Sequence, residues 1–247
     1  MTQENLEGVG VDNTTSQVRA VPQHIAFILD GNRRWARGHY LSVDEGHRAG
    51  ILKVFDVLAW CEDAGVEVVT MWLLAMRNLK RSDDELAGLF RVYEEVAERL
   101  ADGPWRVRAM GALDLLPKSV TEAFRRAEES TRHSEGLQAN IALAYDGRAE
   151  IVRAVRCLCD GLANAPEPGS SSVISEEAIG QYLFTAGQPD PDLVVRTSGE
   201  KRLSGFLTWQ TAQSELYFCA DLWPDFTREH LARALDHYAR RDRRFGL

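Results

Sequence analysis

An apolar run that ends abruptly in charged residues constrains this chain more than any other stretch. Residues 25–29 are all apolar, and the residues that follow at once are Asp30, Gly31, Asn32, Arg33 and Arg34. A short continuous apolar run indicates a strand buried on both faces of a parallel sheet, and ligands bind beyond the carboxyl ends of such strands. Because a carboxylate can hold Mg²⁺, a glycine lets the backbone approach closely and arginines fork onto phosphate oxygens, this run predicts a diphosphate site.

The rest of the chain alternates between strand-like and helix-like apolar patterns. Strand-like runs cover residues 66–74, 105–110, 137–145 and 193–195, and helical patterns lie between and after them. Ser82 with Glu85 resembles a capping box that would start one of these helices. We therefore predict a single-domain α/β fold, with a six-stranded, mostly parallel sheet flanked by helices. The domain is expected to span residues 24–247, behind a disordered tail at residues 1–23 and with a surface loop at residues 164–172.

Composition excludes several classes of protein. The formal net charge of −8 over 247 residues argues against a general nucleic-acid binder, so any phosphate site must be local. The four cysteines have neither zinc-site spacing nor the density of a disulfide framework, and we expect buried, reduced thiols. No apolar run approaches the roughly 20 residues of a membrane span, and residues 1–23 lack the apolar core of a signal peptide. A cytoplasmic protein is expected.

Polar clusters follow four of the predicted strands, and the carboxyl ends of parallel strands share one rim of a sheet. The second and fifth strands are followed by Arg77, Asn78 and Arg81, and by a cluster comprising Arg196, Ser198, Lys201, Arg202 and Ser204. The second of these sets could form an anion cradle facing the one that contains Asp30. Two such cradles on one rim predict two phosphorylated substrates.

An Asp directly after an apolar strand is also typical of haloacid-dehalogenase-type phosphatases. In those enzymes a second Asp, two positions further on, acts as acid and base. That position is Asn32 in this chain, and an amide cannot supply a proton at neutral pH. The phosphatase function is therefore disfavoured.

Four motifs together resemble the cis-prenyltransferases, the undecaprenyl-diphosphate-synthase family. They are HIAFILDGNRRWA at residues 24–36, GHRAG at 46–50, DLVVRTSGEKRLSGFLTWQ at 192–210 and ELYF at 215–218. Within this family the chain is most similar to the short-chain actinobacterial Z-farnesyl-diphosphate synthases. The resemblance implies a Mg²⁺-dependent condensation of isopentenyl diphosphate with a short allylic diphosphate, giving a short-chain Z-prenyl diphosphate of the Z,E-farnesyl type.

The resemblance also assigns roles to individual residues. The catalytic residues would be Asp30, Asn78 and Arg81, and the metal ligands Asp30 and Glu215. The substrate-binding residues would be Gly31, Asn32, Arg33, Arg34, Trp35, His47, Leu73, Arg196, Arg202 and Ser204. In this family the prenyl chain grows into an apolar tunnel between sheet and helices, so a bulky Leu73 would keep the product short. An R-x-G element at Arg244–Gly246 would complete the site across the interface of a homodimer.

The chain departs from the family pattern at two positions that bear on activity. Arg77 stands where the family usually has a Glu, and Val43 replaces a phosphate-binding arginine. Arg77 cannot accept a proton, so a relay through that Glu would be absent or rerouted. Two alternatives to the regular condensation therefore stay open. One is a low-activity or non-catalytic partner subunit, and the other is an irregular, branched coupling that uses dimethylallyl diphosphate.

Overall fold

The apolar run at the start of the sequence forms an inner strand of a fully parallel sheet. A computed structural model describes residues 20–163 and 174–240. Its strands are β1 (His24–Ile28), β2 (Val68–Trp72), β3 (Arg106–Met110), β4 (Gln138–Ala142), β5 (Leu193–Arg196) and β6 (Glu215–Phe218). They pair in the order β3-β4-β2-β1-β5-β6, and every pair is parallel. This confirms the predicted α/β fold.

Seven α-helices and three short 3₁₀ helices connect these strands within the described residues. The α-helices are α1 (Asn32–Gly38), α2 (Val43–Asp63), α3 (Asp83–Ala101), α4 (Lys118–Thr131), α5 (Gly147–Ala163), α6 (Glu176–Gly180) and α7 (Arg228–Ala239). The 3₁₀ helices are Met76–Lys80, Leu113–Leu115 and Trp223–Asp225. No α-helix of the described chain is long and apolar enough to cross a bilayer.

Strand alternation gives the sheet two separate cores. Ile25 and Phe27 of β1 face the larger core, which contains the buried residues of α2, α3, α4 and α7. Ala26 and Ile28 face the other way, into a smaller cluster with Trp72. Since successive side chains of a strand point to opposite faces, a continuous apolar run requires cover on both. The three residues 25–27 have no exposed surface at all.

Several local features differ from the predictions. β6 was not assigned to any apolar run, and no helix was predicted at α1. Ser82 caps α3 and accepts a hydrogen bond from the Glu85 amide at 3.4 Å, but the Glu85 carboxylate turns to His47 rather than back to Ser82. The predicted capping box is therefore only half formed. All four cysteines are free as expected, although Cys159 is exposed and Cys157 half-buried. The predicted loop at 164–172, most of the N-terminal tail and the R-x-G element lie outside the described residues.

Candidate active site

Two adjoining cavities lie at the carboxyl edge of the sheet. The inner cavity, of about 160 Å³, is bounded by the ends of β1, β2 and β5. The outer cavity, of about 480 Å³, lies beside α1. Both are lined by Leu29, Asp30, Asn32, His47 and Arg81. The polar clusters that follow separate strands in the sequence therefore meet at one place, as the parallel sheet predicts.

Asp30 is the carboxylate at the junction of the two cavities. Its Oδ2 accepts a hydrogen bond from Arg196 Nη2 at 2.8 Å, and its Oδ1 lies 3.4 Å from Arg34 Nη2. Burial by itself would raise the pKa of Asp30, but the hydrogen bond from Arg196 and the charges of Arg196 and Arg34 outweigh it and lower the pKa. Asp30 is therefore ionised at neutral pH, and its side chain stays 31% exposed and open to a ligand.

Gly31 makes the turn from β1 into α1, and no other residue fits there without strain. Its φ is +119°, and a Cβ at this position would lie 3.0 Å from the Leu222 backbone. The helix that follows carries Arg33, Arg34 and Arg37, and all three line the outer cavity. The turn therefore directs three guanidinium groups toward one volume.

Close contact between α1 and α2 fixes Asn32. A Cβ on Gly50 of α2 would lie 2.2 Å from Asn32 Oδ1, so the helices can approach this closely only with glycine there. Asn32 Oδ1 is buried and has no hydrogen-bond partner. The GHRAG motif thus serves two purposes, since Gly50 makes room for Asn32 and His47 reaches the cavities.

His47, Arg81 and Glu85 form a polar network in the wall of the cavities, in which His47 is buried and the other two are half-buried. His47 Nε2 lies 3.0 Å from Glu85 Oε1, and Arg81 Nη1 lies 3.3 Å from the same oxygen. Burial lowers the pKa of His47, and the nearby Arg81 charge adds to this although Glu85 opposes it, so the imidazole is neutral at pH 7. Sequence reasoning missed Glu85 as a member of the site, because its spacing from Ser82 is that of a helix cap.

The second predicted cradle is joined directly to the first. Arg196 is 3% exposed; it donates to Asp30, to Ser204 Oγ at 2.9 Å and to the Arg202 carbonyl. Arg202 lines the outer cavity and pairs with Glu200. Ser204 lines the inner cavity in a left-handed backbone conformation with φ 56°. Arg196 therefore connects the two anion cradles through a single guanidinium group.

The inner cavity has an apolar end formed by Leu73 with Ile51, Leu89 and Tyr93. Tyr93 donates its hydroxyl to the Leu73 carbonyl at 3.0 Å, which fixes the chain at the end of β2. Asn78 also lines this cavity, and its Oδ1 accepts from the Ala75 amide at 3.2 Å. Leu73 therefore lies in the wall of the inner cavity, and the predicted tunnel beyond it stays a prediction.

Two predicted site residues are not brought to the cavities. Trp35 Nε1 donates to Asp225 Oδ1 at 2.7 Å, and its ring stacks on His39, so the indole lines neither cavity. Glu215 is level with Leu193 at the start of β6, whereas Arg196 at the end of β5 is level with Phe218. Three residues of strand correspond to about 10 Å. Within one chain, therefore, Glu215 does not share a metal with Asp30.

Another group of potential metal ligands is closed by its own hydrogen bonds. Cys219, Asp221 and His230 offer ligand atoms within 4.8 Å of one another. The Thr227 amide donates to His230 Nδ1 at 3.0 Å, so the proton of the neutral imidazole is on Nε2, which lies 2.8 Å from Asp221. A metal ion would need a free lone pair on His230 Nε2, but this nitrogen carries the proton that it donates to Asp221. The three residues therefore fit a hydrogen-bonded structural contact better than a metal site.

The fold and the paired, arginine-lined cavities define an α/β protein with a site suited to phosphorylated ligands, and comparison with known proteins identifies its family. The model of the putative undecaprenyl diphosphate synthase family matches residues 28–246, so the chain belongs to this family of prenyltransferases. The match runs from the last residue of β1 through β6 and includes both sets of cavity residues.

Named relatives are similar over most of the chain. A (2Z,6E)-farnesyl diphosphate synthase from Thermobifida fusca is 49% identical over 91% of this chain and 90% of that protein. A short-chain Z-isoprenyl diphosphate synthase from Mycobacterium leprae is 46% identical over 94% of this chain and 90% of that protein. Among solved structures, lavandulyl diphosphate synthase from Lavandula x intermedia, in complex with dimethylallyl diphosphate, superposes with a TM-score of 0.86 at 33% identity, covering 92% of this chain and 99% of that one.

Proposed function

We propose that this protein is a short-chain cis-prenyltransferase that condenses isopentenyl diphosphate with a short allylic diphosphate to give a product of the Z,E-farnesyl type. The observation that carries the proposal is the pair of adjoining anion cavities that share Asp30, one of which has an apolar end at Leu73. The names of the Thermobifida fusca and Mycobacterium leprae relatives support the product class.

The local charge of the cavities fits two diphosphates. Seven arginines line the two cavities: Arg33, Arg34, Arg37, Arg77, Arg81, Arg196 and Arg202. The carboxylates that line them are Asp30 and Glu200, so the formal balance is +5 in a chain with a formal net charge of −8. This concentration of positive charge attracts highly charged substrates and stabilises them once bound.

The reaction requires stabilisation of a departing diphosphate and alignment of two reactants. The C1–O bond of the allylic substrate breaks and its electron pair leaves with the diphosphate, while C1 bonds to the terminal alkene carbon, C4, of isopentenyl diphosphate. C2 of the isopentenyl unit then loses a proton, and the electron pair of that C–H bond forms the new double bond between C2 and C3. Arg33 and Arg34 line the outer cavity, which supports binding of the leaving diphosphate there, and such preorganised donors act most strongly in the transition state. Holding the reactants in adjoining cavities supplies up to roughly 7–11 kcal/mol by orientation.

Asp30 fits a divalent cation because it is ionised, partly exposed and open to both cavities. Mg²⁺ commonly binds through one or two carboxylates plus substrate phosphates, so a full cage of protein ligands is not required. When bound, Mg²⁺ would neutralise charge on the leaving diphosphate. The homodimer and the cytoplasmic location stay predictions.

An irregular coupling is the second candidate. The similar fold of lavandulyl diphosphate synthase, solved with dimethylallyl diphosphate, favours it, because two copies of that substrate would match the two anion cavities equally well. A non-catalytic subunit is disfavoured by the ionised carboxylate at the junction of the cavities, since a pure binding partner has no need of it.

The deciding experiment is a product analysis. Purified protein is incubated with Mg²⁺ and isopentenyl diphosphate together with dimethylallyl, geranyl or farnesyl diphosphate, and dephosphorylated products are identified by mass spectrometry against E and Z standards. We expect a C15 product with one Z double bond from geranyl diphosphate. Consumption of dimethylallyl diphosphate alone would replace this proposal with the irregular coupling, and no product in any arm would contradict both.

A further inference from the structure

Two buried N–H donors in the wall of the inner cavity have no hydrogen-bond partner. They are Trp72 Nε1 and Arg196 Nε, on side chains of residues that are 7% and 3% exposed. Buried N–H groups without a partner are rare in native proteins, and each one calls for an explanation such as a bound ligand. Both residues line the inner cavity.

Arg77 adds a third donor to the same wall. Its guanidinium lies over the Trp72 ring, 5.7 Å from the ring centroid, and its Nη1 donates to the Ser204 carbonyl at 3.2 Å. Arg196 donates to the hydroxyl of the same serine at 2.9 Å. Ser204 is therefore bonded by Arg77 at its main-chain carbonyl and by Arg196 at its hydroxyl. Both arginines line the inner cavity.

The direction of the Trp72 N–H is fixed by its aromatic neighbours. The indole stacks on Phe206 with centroids 4.9 Å apart and ring planes within 6°, and it meets Tyr145 edge-on at 6.3 Å. The Tyr145 hydroxyl donates in turn to the buried Glu150 carboxylate. A donor held this way loses little freedom when a ligand binds, which increases its contribution to affinity.

We propose that Trp72 Nε1 and the Arg77 guanidinium, together with Arg196 Nε, bind the diphosphate of the isopentenyl substrate in the inner cavity. The inference rests on the proposed function and names two further binding residues for it. A diphosphate offers many acceptor oxygens and a high negative charge, which suits two guanidinium groups and an indole N–H. An apolar prenyl tail at this wall would leave Trp72 Nε1 and Arg196 Nε without an acceptor.

The test compares binding of isopentenyl diphosphate to the wild-type protein, Trp72→Phe and Arg77→Met. This substrate has no allylic leaving group, so it binds alone without turnover and its Kd can be measured by calorimetry. Trp105→Phe is the matched control for the indole, because Trp105 is also 7% exposed but donates to Glu62 away from the cavities. Arg99→Met is the matched control for the arginine, since Arg99 lies 3.9 Å over the Phe55 ring.

We expect the Kd of isopentenyl diphosphate to rise about 10- to 100-fold in Trp72→Phe and in Arg77→Met, as for a lost hydrogen bond to a charged group. Both controls should bind it like the wild type, and Arg77→Lys should recover part of the loss. In turnover, KM for isopentenyl diphosphate should rise while KM for the allylic substrate stays constant. An unchanged Kd in both cavity variants would overturn the inference, as would an equal loss in the controls.

The outcome is separable from that of the proposed function. If the protein makes no prenyl product but isopentenyl diphosphate binds and binding weakens in the two variants, the anion site stands and the condensation fails. If products form with normal KM values in both variants, the condensation stands and this inference fails.

Discussion

Asp30 receives cationic partners from two different elements, Arg196 at the end of β5 and Arg34 in α1. Its lowered pKa means that the site contains a fixed negative charge among seven arginines. That charge reduces the positive balance of the cavities, so its presence is hard to explain by substrate binding alone. A cation brought in with the substrate explains it better.

We expect Asp30→Asn to reduce kcat about 10²- to 10³-fold, because the amide keeps the shape but cannot supply the charge that a metal needs. Steady-state product formation at saturating Mg²⁺ measures this. The melting temperature should fall, because the buried Arg196 keeps a hydrogen-bond acceptor but loses the charge of its partner, so the assay temperature must lie below the melting transition of the variant. Turnover within twofold of wild type would remove Asp30 from the mechanism.

Leu73→Ala should shift the product toward longer chains. Leu73 lies in the apolar wall of the inner cavity, and each additional buried CH₂ of a prenyl tail contributes about 0.8 kcal/mol once space is available. Mass spectrometry of products made with excess isopentenyl diphosphate gives the chain lengths. Leu86→Ala is the control, because Leu86 packs on the same core but lines neither cavity. Identical product lengths in all three proteins would show that Leu73 only fills space.

At the level of elements, the edge strand β3 is protected by side chains of α4. The Val107 amide donates to Thr131 Oγ1 at 3.0 Å, and the Ala109 amide donates to Glu128 Oε1 at 2.7 Å. An unpaired strand edge is a template for association with other chains, and these two bonds occupy outward-facing donors of β3. Helix α4 therefore covers the sheet face and also closes its edge.

Thr131→Val should lower the free energy of unfolding by about 1–3 kcal/mol, because it leaves the buried Val107 amide without an acceptor at nearly constant volume. Chemical denaturation monitored by circular dichroism measures the change. The matched variant is Thr121→Val in the same helix, whose hydroxyl is a donor to local carbonyls only. Equal, small effects of the two substitutions would argue that the β3 edge needs no such protection.

The elements that sequence reasoning found and missed differ in how they are buried. β1, β2 and β5 are buried throughout and form largely apolar runs, whereas all four residues of β6 are only half-buried and give no such run. Helix α1 buries Ala36 alone, so it has no apolar stripe to detect. The arginines and Asp30 were predictable because parallel strands bring their carboxyl ends together. The role of Glu85 and the displacement of Glu215 were not, since they depend on tertiary contacts and strand register.

At the scale of the whole molecule, the buried His24 links three strands of the sheet. It is the first residue of β1, so it lies toward the amino ends of the strands, opposite the cavities. His24 Nδ1 lies 2.8 Å from the Pro189 carbonyl and therefore carries the proton, while Nε2 accepts from the Thr70 hydroxyl at 2.8 Å. Asn140 donates to the same hydroxyl oxygen at 3.0 Å, so β1, β2 and β4 share one polar network. Every ring nitrogen of this histidine is used in its neutral form.

Acid should therefore destabilise the fold through His24 in a defined pH range. Burial, opposed only in part by the Pro189 carbonyl and Asp192, lowers the pKa of His24 from 6.5 to about 4, so the unfolded chain binds a proton below pH 6.5 that the folded chain refuses until about pH 4. The free energy of unfolding must then decrease as the pH falls through this window, by about 3 kcal/mol in total.

Buried His47, with its own lowered pKa, acts in the same direction, so the wild type must be compared with His24→Gln, which cannot titrate at position 24. Denaturation curves of both proteins between pH 4 and 7 should converge as the pH falls, and a constant difference between them across that range would show that His24 does not govern acid stability.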